Sequence, residues 1–306
     1  MLQTEFRAMG SRVNIFLDAD TPEAADAITL VPVWFEAWEQ SLSRFRESSE
    51  LSLVNRSAGD RLHVSDPFWQ VLHIALDMEK ASAGLVTPVV LAALETIGYD
   101  RSFANGVPDA VSQAESQYFA ETDVTEIKLF PESREIRMPE GLRLDFGGTA
   151  KGWAAHQAML RLAEFGPALV NAGGDISISG LQTNSAPWKV GIIDPLQPAI
   201  DMVWLMVGRS GVATSGKDYR KWLQDGVLRH HIIDPRTGLP AETDILSASV
   251  SAPTVMEAEM AAKVLFILGS DDGAEWLQNN PQFGALLVLD DGVVLTSQSM
   301  KRILGG

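Results

Sequence analysis

One glycine-rich octapeptide decides how this chain is interpreted: Asp145-Phe146-Gly147-Gly148-Thr149-Ala150-Lys151-Gly152. It places a carboxylate, a flexible backbone and one ammonium group immediately before a predicted helix at residues 153–165. Backbone N–H groups at a helix start attract anions, glycines allow a close approach, and a lysine adds a full positive charge. The octapeptide therefore predicts a site for a phosphate-bearing ligand, although a helix-leading turn with a solvated lysine has the same pattern.

Three better-known nucleotide motifs do not match. A P-loop needs a Ser or Thr directly after its lysine to hold Mg²⁺, and this chain has Gly152 there. Residues 145–147 spell the Asp-Phe-Gly magnesium tripeptide of protein kinases, but the catalytic-loop His-Arg-Asp that accompanies it is missing upstream. The Gly-Gly-Asp at residues 173–175 lacks the G-x-G-x-x-G spacing of a Rossmann site.

Composition excludes several classes of function. The chain has 306 residues, of which 46% are hydrophobic and 21% charged, enough for a large core. Its formal net charge of −16 argues against binding to nucleic acid or to an anionic membrane surface. The lack of cysteine excludes disulfides and thiol chemistry and is typical of a reducing compartment. Since a secretion signal and an apolar run of roughly 20 residues are also missing, we predict a cytoplasmic protein without membrane insertion.

Hydrophobic periodicity predicts an α+β fold rather than a doubly wound sheet, because meandering strands are separated from the helices. The predicted helices are residues 22–42, 66–78, 89–97, 153–165 and 255–268. The predicted strands are residues 6–17, 127–129, 135–138, 142–144, 168–170, 176–179, 188–193, 203–207 and 246–252, followed by a hairpin that turns at residues 290–292. We expect a single domain over residues 1–306, made of two entwined lobes, with a surface insertion at about residues 101–117.

Six polar or glycine-bearing segments together resemble one family. They are residues 8–11 (Ala-Met-Gly-Ser), residues 43–45 with 49–52 (Ser-Arg-Phe and Ser-Glu-Leu-Ser), the octapeptide, residues 171–175 (Asn-Ala-Gly-Gly-Asp), residues 214–216 (Thr-Ser-Gly) and residues 230–240 (His-His-Ile-Ile-Asp-Pro-Arg-Thr-Gly-Leu-Pro). In this order, over nearly the whole chain, they resemble the ApbE family, the FAD:protein FMN transferases.

The resemblance implies both a fold and an activity. The fold would be ApbE-like and T-fold-related, with mixed, largely antiparallel sheets, packed helices and an FAD cleft between the two lobes. The activity would cleave FAD between its phosphates, transfer FMN to a Thr or Ser hydroxyl of an acceptor flavoprotein and release AMP, normally with Mg²⁺. Such a reaction needs a base near the hydroxyl and neutralisation of the pyrophosphate charge.

The resemblance also implies roles for individual residues. His231 is the candidate general base, because an imidazole titrates near working pH, and Asp234 on the same turn could orient it. Lys151 would contact the phosphates. The candidate FAD-binding residues are Met9, Phe45, Val86, Thr87, Pro88, Asp145, Lys151, Gly173, Gly174, Asp175, Ser215, Gly216 and Thr237. Structural alternatives stay open: a turn histidine at 231, a hairpin turn at 173–174 and a strand end at 214–216. His230 is interpreted as a bystander.

Two positions depart from the family's pattern. Where typical members carry an Asp and, four residues later, a Thr that bind Mg²⁺, this chain has Glu259 and Lys263. Because an ammonium group is no metal ligand, the site that Gly148 and Glu259 would form is incomplete. The pair could be an exposed i,i+4 ion pair, or Lys263 could stand in for the cation. At Thr87 and Val89 the chain also lacks the Asp and Thr that usually flank the intervening proline.

The departures leave two alternatives to the transferase. One is a non-catalytic FAD-binding protein that has lost the magnesium site. The other is an FAD pyrophosphatase that gives free FMN and AMP, because the same groups would serve water as the nucleophile.

Overall fold

The computed structural model describes residues 1–101, 124–218, 220–224 and 226–305. The α-helices of this part are α1 (Pro22–Leu42), α2 (Glu50–Arg56), α3 (Asp66–Ala81), α4 (Leu91–Thr96), α5 (Ala150–Leu162), α6 (Val255–Asn279) and α7 (Gln298–Lys301). Its strands are β1 (Leu2–Ala8), β2 (Ser11–Leu17), β3 (Arg61–His63), β4 (Lys128–Phe130), β5 (Glu135–Arg137), β6 (Ala168–Ala172), β7 (Asp175–Ile178), β8 (Trp188–Ile193), β9 (Asp201–Val207), β10 (Ser210–Gly216), β11 (Lys221–Gln224), β12 (Val227–His230), β13 (Ile233–Asp234), β14 (Leu239–Pro240), β15 (Ile245–Ala252), β16 (Gly284–Leu289) and β17 (Val294–Thr296). Apart from Arg101, the predicted insertion at residues 101–117 lies outside the described residues.

The strands of the described chain pair in one large sheet and several small ones. The large sheet has the order β1-β2-β6-β7-β10-β15-β16-β17. Every neighbouring pair in it is antiparallel. The smaller sheets are β3-β5-β4, β8-β9, β11-β12 and β13-β14. The predicted α+β class with largely antiparallel sheets is confirmed. The described sheets are antiparallel rather than mixed because several neighbours, such as β6 and β7, are joined by hairpins too short for a parallel crossover.

The chain folds into two compact units, each assembled from separate segments. Unit 1 contains Met1–Phe35, Lys151–Tyr219 and Glu242–Gly306, and unit 2 contains Glu36–Ala150 and Arg220–Ala241. The segments of the two units therefore alternate along the sequence. That the units act as one flavin transferase domain stays a prediction.

In unit 1, helix α6 packs across strands β10 and β15 of the large sheet. The helix begins with a capping box, in which the side chains of Thr254 and Glu257 each accept a hydrogen bond from the other's backbone N–H. At Gly269 the backbone is non-helical, with φ at 81°. The predicted end at residue 268 thus coincides with this break. A second helical stretch follows, and Asp244 caps it by accepting the N–H of Ser270 at 2.9 Å.

Helix α6 approaches the sheet closely at Gly211, where a Cβ atom would overlap the backbone of Val255. We expect Gly211→Ala to lower the free energy of unfolding by about 3 kcal/mol, the upper range for overpacking, because backbone rather than a flexible side chain must move. Urea denaturation measures this difference. Gly180→Ala is the control, since a Cβ there meets no heavy atom of the described chain within 4 Å. Equal destabilisation by both substitutions would contradict the packing argument.

Unit 2 has an aromatic core. The buried rings of Phe68 and Phe146 meet edge to face, with centroids 5.2 Å apart. Trp222 donates its indole N–H to the carbonyl oxygen of Ile97 at 2.9 Å, which joins β11 to the end of α4. None of the helices in the described part of the chain is long and apolar enough to cross a membrane.

Two predicted strands were wrong. Residues 6–17 form two strands, β1 and β2, separated by a turn at Met9 and Gly10. Residues 142–144, all of them described, form no strand. Instead, the side-chain amide of Asn55 pairs with both the carbonyl oxygen and the N–H of Leu144, at 2.9 and 2.8 Å. A side chain has therefore taken the place of a strand partner. The sequence analysis also missed α2, α7, β3 and the short strands β11 to β14, and of β10 it anticipated only the end at residues 214–216.

Candidate functional site

The candidate residues fall into two groups, one in each unit. Unit 1 holds Met9, Lys151, Gly173, Gly174, Asp175, Ser215, Gly216 and Glu259. Unit 2 holds Phe45, Val86, Thr87, Pro88, Asp145, Gly148, His231, Asp234 and Thr237.

In unit 1, two tight hairpin turns lie side by side. Ala172 pairs with Asp175, so the β6–β7 hairpin turns at Gly173 and Gly174, which have φ values of 68° and 99°. Two central residues with positive φ are typical of a type I′ turn, and glycine adopts them without steric cost. The backbone at Gly173 and Gly174 therefore forms the hairpin turn that the sequence analysis gave as the structural alternative.

The other turn joins β1 to β2 at Met9 and Gly10, with φ values of 50° and 66°. Because β2 pairs with β6, the two turns are neighbours. The N–H of Gly173 donates to the carbonyl oxygen of Arg12 at 2.9 Å, and a Cβ on Gly173 would lie 2.6 Å from the Cβ of Ser11. The structure therefore brings Met9, Gly173 and Asp175 together at one end of the neighbouring strands β1, β2, β6 and β7.

Lys151 lies in the first turn of α5, not before it. The helix begins at Ala150, three residues earlier than predicted, because the carbonyl oxygen of Phe146 accepts the N–H groups of Thr149 and Ala150 at 2.9 and 2.8 Å. The ammonium group of Lys151 forms an ion pair with the carboxylate of Asp175, at the start of β7. Lys151 of the octapeptide and Asp175, which follows the β6–β7 turn, are 24 residues apart in sequence and meet in this contact.

Glu259 and Lys263 form a second ion pair in the same unit, with Nζ of Lys263 2.9 Å from Oε1 of Glu259. The i,i+4 ion pair that the sequence analysis gave as one alternative is present, but the Glu259 side chain in it is only 3% exposed. Its Oε2 atom is buried and has no hydrogen-bond partner among the described residues. A Cβ on Gly152 would lie 2.9 Å from that oxygen, so glycine in α5 makes room for the carboxylate.

The two ion pairs influence each other. Burial raises the pKa of the Glu259 carboxyl above its ordinary value, and the negative charge of Asp175 adds to this rise, whereas Lys263 and Lys151 oppose it. We call Lys151, Asp175, Glu259 and Lys263 the charge cluster.

The charge cluster does not fit a magnesium ion. Mg²⁺ requires a near-octahedral set of oxygen ligands. Oε1 of Glu259 is engaged by Lys263, and Asp175 is engaged by Lys151. The described residues contain no group of three or more His, Cys, Asp or Glu side chains that could hold a metal. Gly148, the other candidate ligand, lies partly exposed in the glycine turn.

Ser215 and Gly216 are the last residues of β10, in agreement with the alternative of a strand end at residues 214–216. The strand runs past its last pair with β7, Val212↔Ile176, and continues to pair with β15 through Gly216↔Ser247. Ser215 is 7% exposed. Its role with FAD stays a prediction.

In unit 2, Asp145 ties the glycine turn to two other segments. Its buried carboxylate accepts from Nε of Arg44 at 2.7 Å and from the N–H of Gly147 at 2.8 Å. Its own N–H donates to the carbonyl oxygen of Pro88 at 2.7 Å. The candidate segment of Val86, Thr87 and Pro88 therefore lies beside the octapeptide. Because its carboxylate is hydrogen-bonded to Arg44 and Gly147, Asp145 stabilises the glycine turn of the octapeptide.

His231 belongs to an aromatic group that the sequence analysis missed. The rings of Tyr99 and His231 meet edge to face, with centroids 6.4 Å apart, and the ring of Phe45 lies 5.7 Å from that of Tyr99. The guanidinium of Arg44 covers both Phe45 and Tyr99, at 4.2 and 4.6 Å from the ring centroids. It also donates to the carbonyl oxygen of Tyr99 at 2.8 Å. Tyr99 lies in no recognisable motif, so only the fold could reveal it.

The neighbouring motif residues hold a turn together. His230 is buried, with Nε2 3.1 Å from the carbonyl oxygen of Ala241 and Nδ1 accepting the N–H of Ile232 at 3.3 Å. The carboxylate of Asp234 accepts from the Arg236 guanidinium at 2.8 Å, and its carbonyl oxygen accepts from the Thr237 hydroxyl at 3.3 Å. These contacts make His230 structural. The orientation of His231 by Asp234 stays a prediction.

Comparison with known proteins identifies the family. The sequence profile of the ApbE family matches residues 9–287. The chain belongs to the ApbE family.

Similar members of the ApbE family include two curated FAD:protein FMN transferases. The protein from Treponema pallidum is 31% identical over 94% of this chain and 83% of its own length. The protein from Klebsiella pneumoniae is 28% identical over 86% of this chain and 82% of its own length. Both similarities extend over most of each chain.

Solved structures of ApbE proteins share the fold. The crystal structure of the ApbE protein from Thermotoga maritima has a TM-score of 0.85 at 23% identity, covering 99% of this chain and 98% of its own. The flavin transferase ApbE from Vibrio cholerae has a TM-score of 0.80 at 25% identity, covering 99% of each chain.

Proposed function

We propose that this chain is an FAD:protein FMN transferase. The observation that carries the proposal is the near full-length similarity to proteins of that name, to which the charge cluster adds a suitable local chemistry. The substrate is FAD, the acceptor is a flavoprotein with a Thr or Ser flavinylation site, and the second product is AMP.

In the proposed reaction, the acceptor hydroxyl oxygen attacks the phosphorus atom of the FMN half of FAD. A new P–O bond forms, and the bond from that phosphorus to the bridging oxygen breaks, so AMP leaves with the electron pair. The hydroxyl proton passes to the imidazole of His231, which is the general base. The reaction mainly requires positioning and neutralisation of phosphate charge, because the phosphoryl group passes between two oxygens.

The residues of this chain have separate tasks in that reaction. Lys151, in the first turn of α5, faces the phosphates, where the helix start adds partial positive charge. Phe45, whose side chain is 40% exposed, offers a ring face to the flavin or adenine, and Arg44 beneath it fixes its orientation. Tyr99 holds the ring of His231. Met9 borders the flavin or adenine, and Gly173 lines the FAD site, each from one of the two hairpin turns.

The proposal also covers the role of magnesium and the cellular location of the protein. The resemblance implies Mg²⁺, but the charge cluster has no fitting donor set, so none of these steps uses a metal. A cytoplasmic location, which the lack of cysteine fits, is tested by fractionation of cells that express the chain.

The test is to incubate the purified protein with FAD, with and without a flavoprotein that has a Thr or Ser flavinylation site, and to separate AMP and FMN by chromatography. AMP release together with FMN bound to the acceptor supports the transferase. A version of the acceptor in which that Thr or Ser is Ala is the control. AMP with free FMN would instead identify a pyrophosphatase. Tight FAD binding without AMP, even with the acceptor, would identify a carrier.

A further inference from the structure

We infer that the ammonium group of Lys263 takes the place of a divalent cation in this protein, so that FAD diphosphate is bound without a metal. The inference rests on the proposed function, since it concerns how the same substrate is held. It assigns a phosphate-binding role to a residue of α6 whose contact is an ion pair within its own helix.

The first argument is the distribution of burial within the charge cluster. The two carboxylates are the buried members, with the side chains of Glu259 and Asp175 exposed by 3% and 4%. The two lysines are the accessible members, with Lys263 exposed by 21% and Lys151 by 14%. A ligand that approaches from solvent therefore meets two ammonium groups and has little access to the carboxylates. An anion suits this surface, and a metal cation does not.

The second argument is the way in which Glu259 fixes Lys263. The two residues are one helical turn apart, so their side chains lie on the same face of α6. A buried carboxylate restricts the flexible lysine stem to one place. Gly152 of α5 leaves room for that carboxylate, because a Cβ there would crowd Oε2 of Glu259. An ammonium group held in this way is a positioned point charge, which is how lysine serves phosphate sites.

The third argument is charge balance. With all four groups ionised, two carboxylates and two ammonium groups sum to zero, so the cluster does not attract a divalent cation. To reach Oε1 of Glu259, a metal ion would have to displace Lys263, and it would then lie next to the displaced positive charge. Mg²⁺ loses its water ligands reluctantly, and a single carboxylate oxygen of Glu259 would not compensate for their loss.

The competing explanation is that Lys263 only neutralises the buried Glu259. Lys263→Met alone does not decide between them, because it leaves a buried carboxylate without its ion-pair partner and lowers stability. The double variant Glu259→Gln with Lys263→Met removes both charges together. Lys263→Arg keeps the positive charge, and Lys189→Met removes a lysine that packs over Trp204 on the β8–β9 hairpin, outside the charge cluster.

The experiment is calorimetric titration of the full chain with FAD, in EDTA and in MgCl₂, together with a separate titration with MgCl₂ alone. For the wild type we expect the same FAD affinity in both buffers and no magnesium binding. The double variant should lose FAD affinity by about tenfold to a hundredfold, the range for a hydrogen bond to a charged group. Lys263→Arg should retain most of the affinity, and Lys189→Met should match the wild type.

Two results would overturn the inference. If FAD binding by the wild type requires MgCl₂, a metal ion and not Lys263 neutralises the diphosphate. AMP release in the MgCl₂ buffer would in that case still support the proposed transferase. A double variant that binds FAD as tightly as the wild type would reduce Lys263 to a counter-ion. The absence of FAD binding under all conditions would instead refute the proposed function, and the inference with it.

Discussion

The substitution His231→Gln is expected to lower the rate of FMN transfer by about 10²-fold to 10⁴-fold, the usual contribution of a general base. Glutamine keeps a polar side chain of similar reach but does not take up the hydroxyl proton at neutral pH. FAD affinity should change by less than about threefold, because the base acts on the acceptor hydroxyl and not on the bound nucleotide. Single-turnover AMP release in the presence of the acceptor gives the rate, and calorimetry gives the affinity.

His230→Gln is a matched control because it makes the same change one residue earlier. Both ring nitrogens of His230 lie near backbone atoms of the turn, so this variant should lose stability by about 1–3 kcal/mol, the cost of unsatisfied buried polar groups. Its transfer rate per folded molecule should stay near that of the wild type. If His230→Gln lowers the rate as much as His231→Gln does, the motif is a structural turn and the base lies elsewhere.

Local sequence signals predicted those elements whose ends have a local cause. Helix α1 runs over the predicted residues 22–42, and β8 over the predicted residues 188–193. The predicted end of α6 at residue 268 is where Gly269 breaks the helix. In each case hydrophobic periodicity or a glycine with positive φ carries the signal within a few residues. The turn at Met9 and Gly10 was missed because methionine rarely adopts positive φ, so Gly10 was its only local signal.

The sequence named candidate site residues but not the contacts that they make. The resemblance named Lys151, Asp175 and Glu259, whereas the exposure of each depends on segments far away in sequence. An ion pair of Glu259 with Lys263 was one expected alternative, but the burial of Glu259, which follows from packing of α6 beside Gly152, was not expected. Tyr99 reaches His231 only because distant segments of unit 2 pack together, and no motif marks such a residue. Burial and ring contacts of this kind depend on tertiary packing, so they could be found only in the structure.

The substitution Lys151→Met is expected to lower kcat/KM for FAD by about 10²-fold to 10³-fold, comparable to the loss of one preorganised donor at a charged transition state. The reason is that the ammonium group stands in the first turn of α5, where its full charge adds to the partial charge of the helix start. Methionine retains the length and apolar stem of lysine, so the loss reports the charge. AMP release at FAD concentrations far below KM measures it.

Stability has to be separated from catalysis in this variant, because Lys151→Met leaves the buried Asp175 without its ion-pair partner. The double variant Lys151→Met with Asp175→Asn removes that unpaired charge and should recover most of the lost free energy of unfolding, but not the lost kcat/KM. Lys189→Met removes a lysine outside the charge cluster and should leave kcat/KM within about twofold of the wild type. If the double variant regains activity together with stability, then Lys151 serves only to neutralise Asp175. The phosphate charge of FAD must in that case be met by other groups, and Lys263, the other accessible ammonium group of the charge cluster, becomes the first to test.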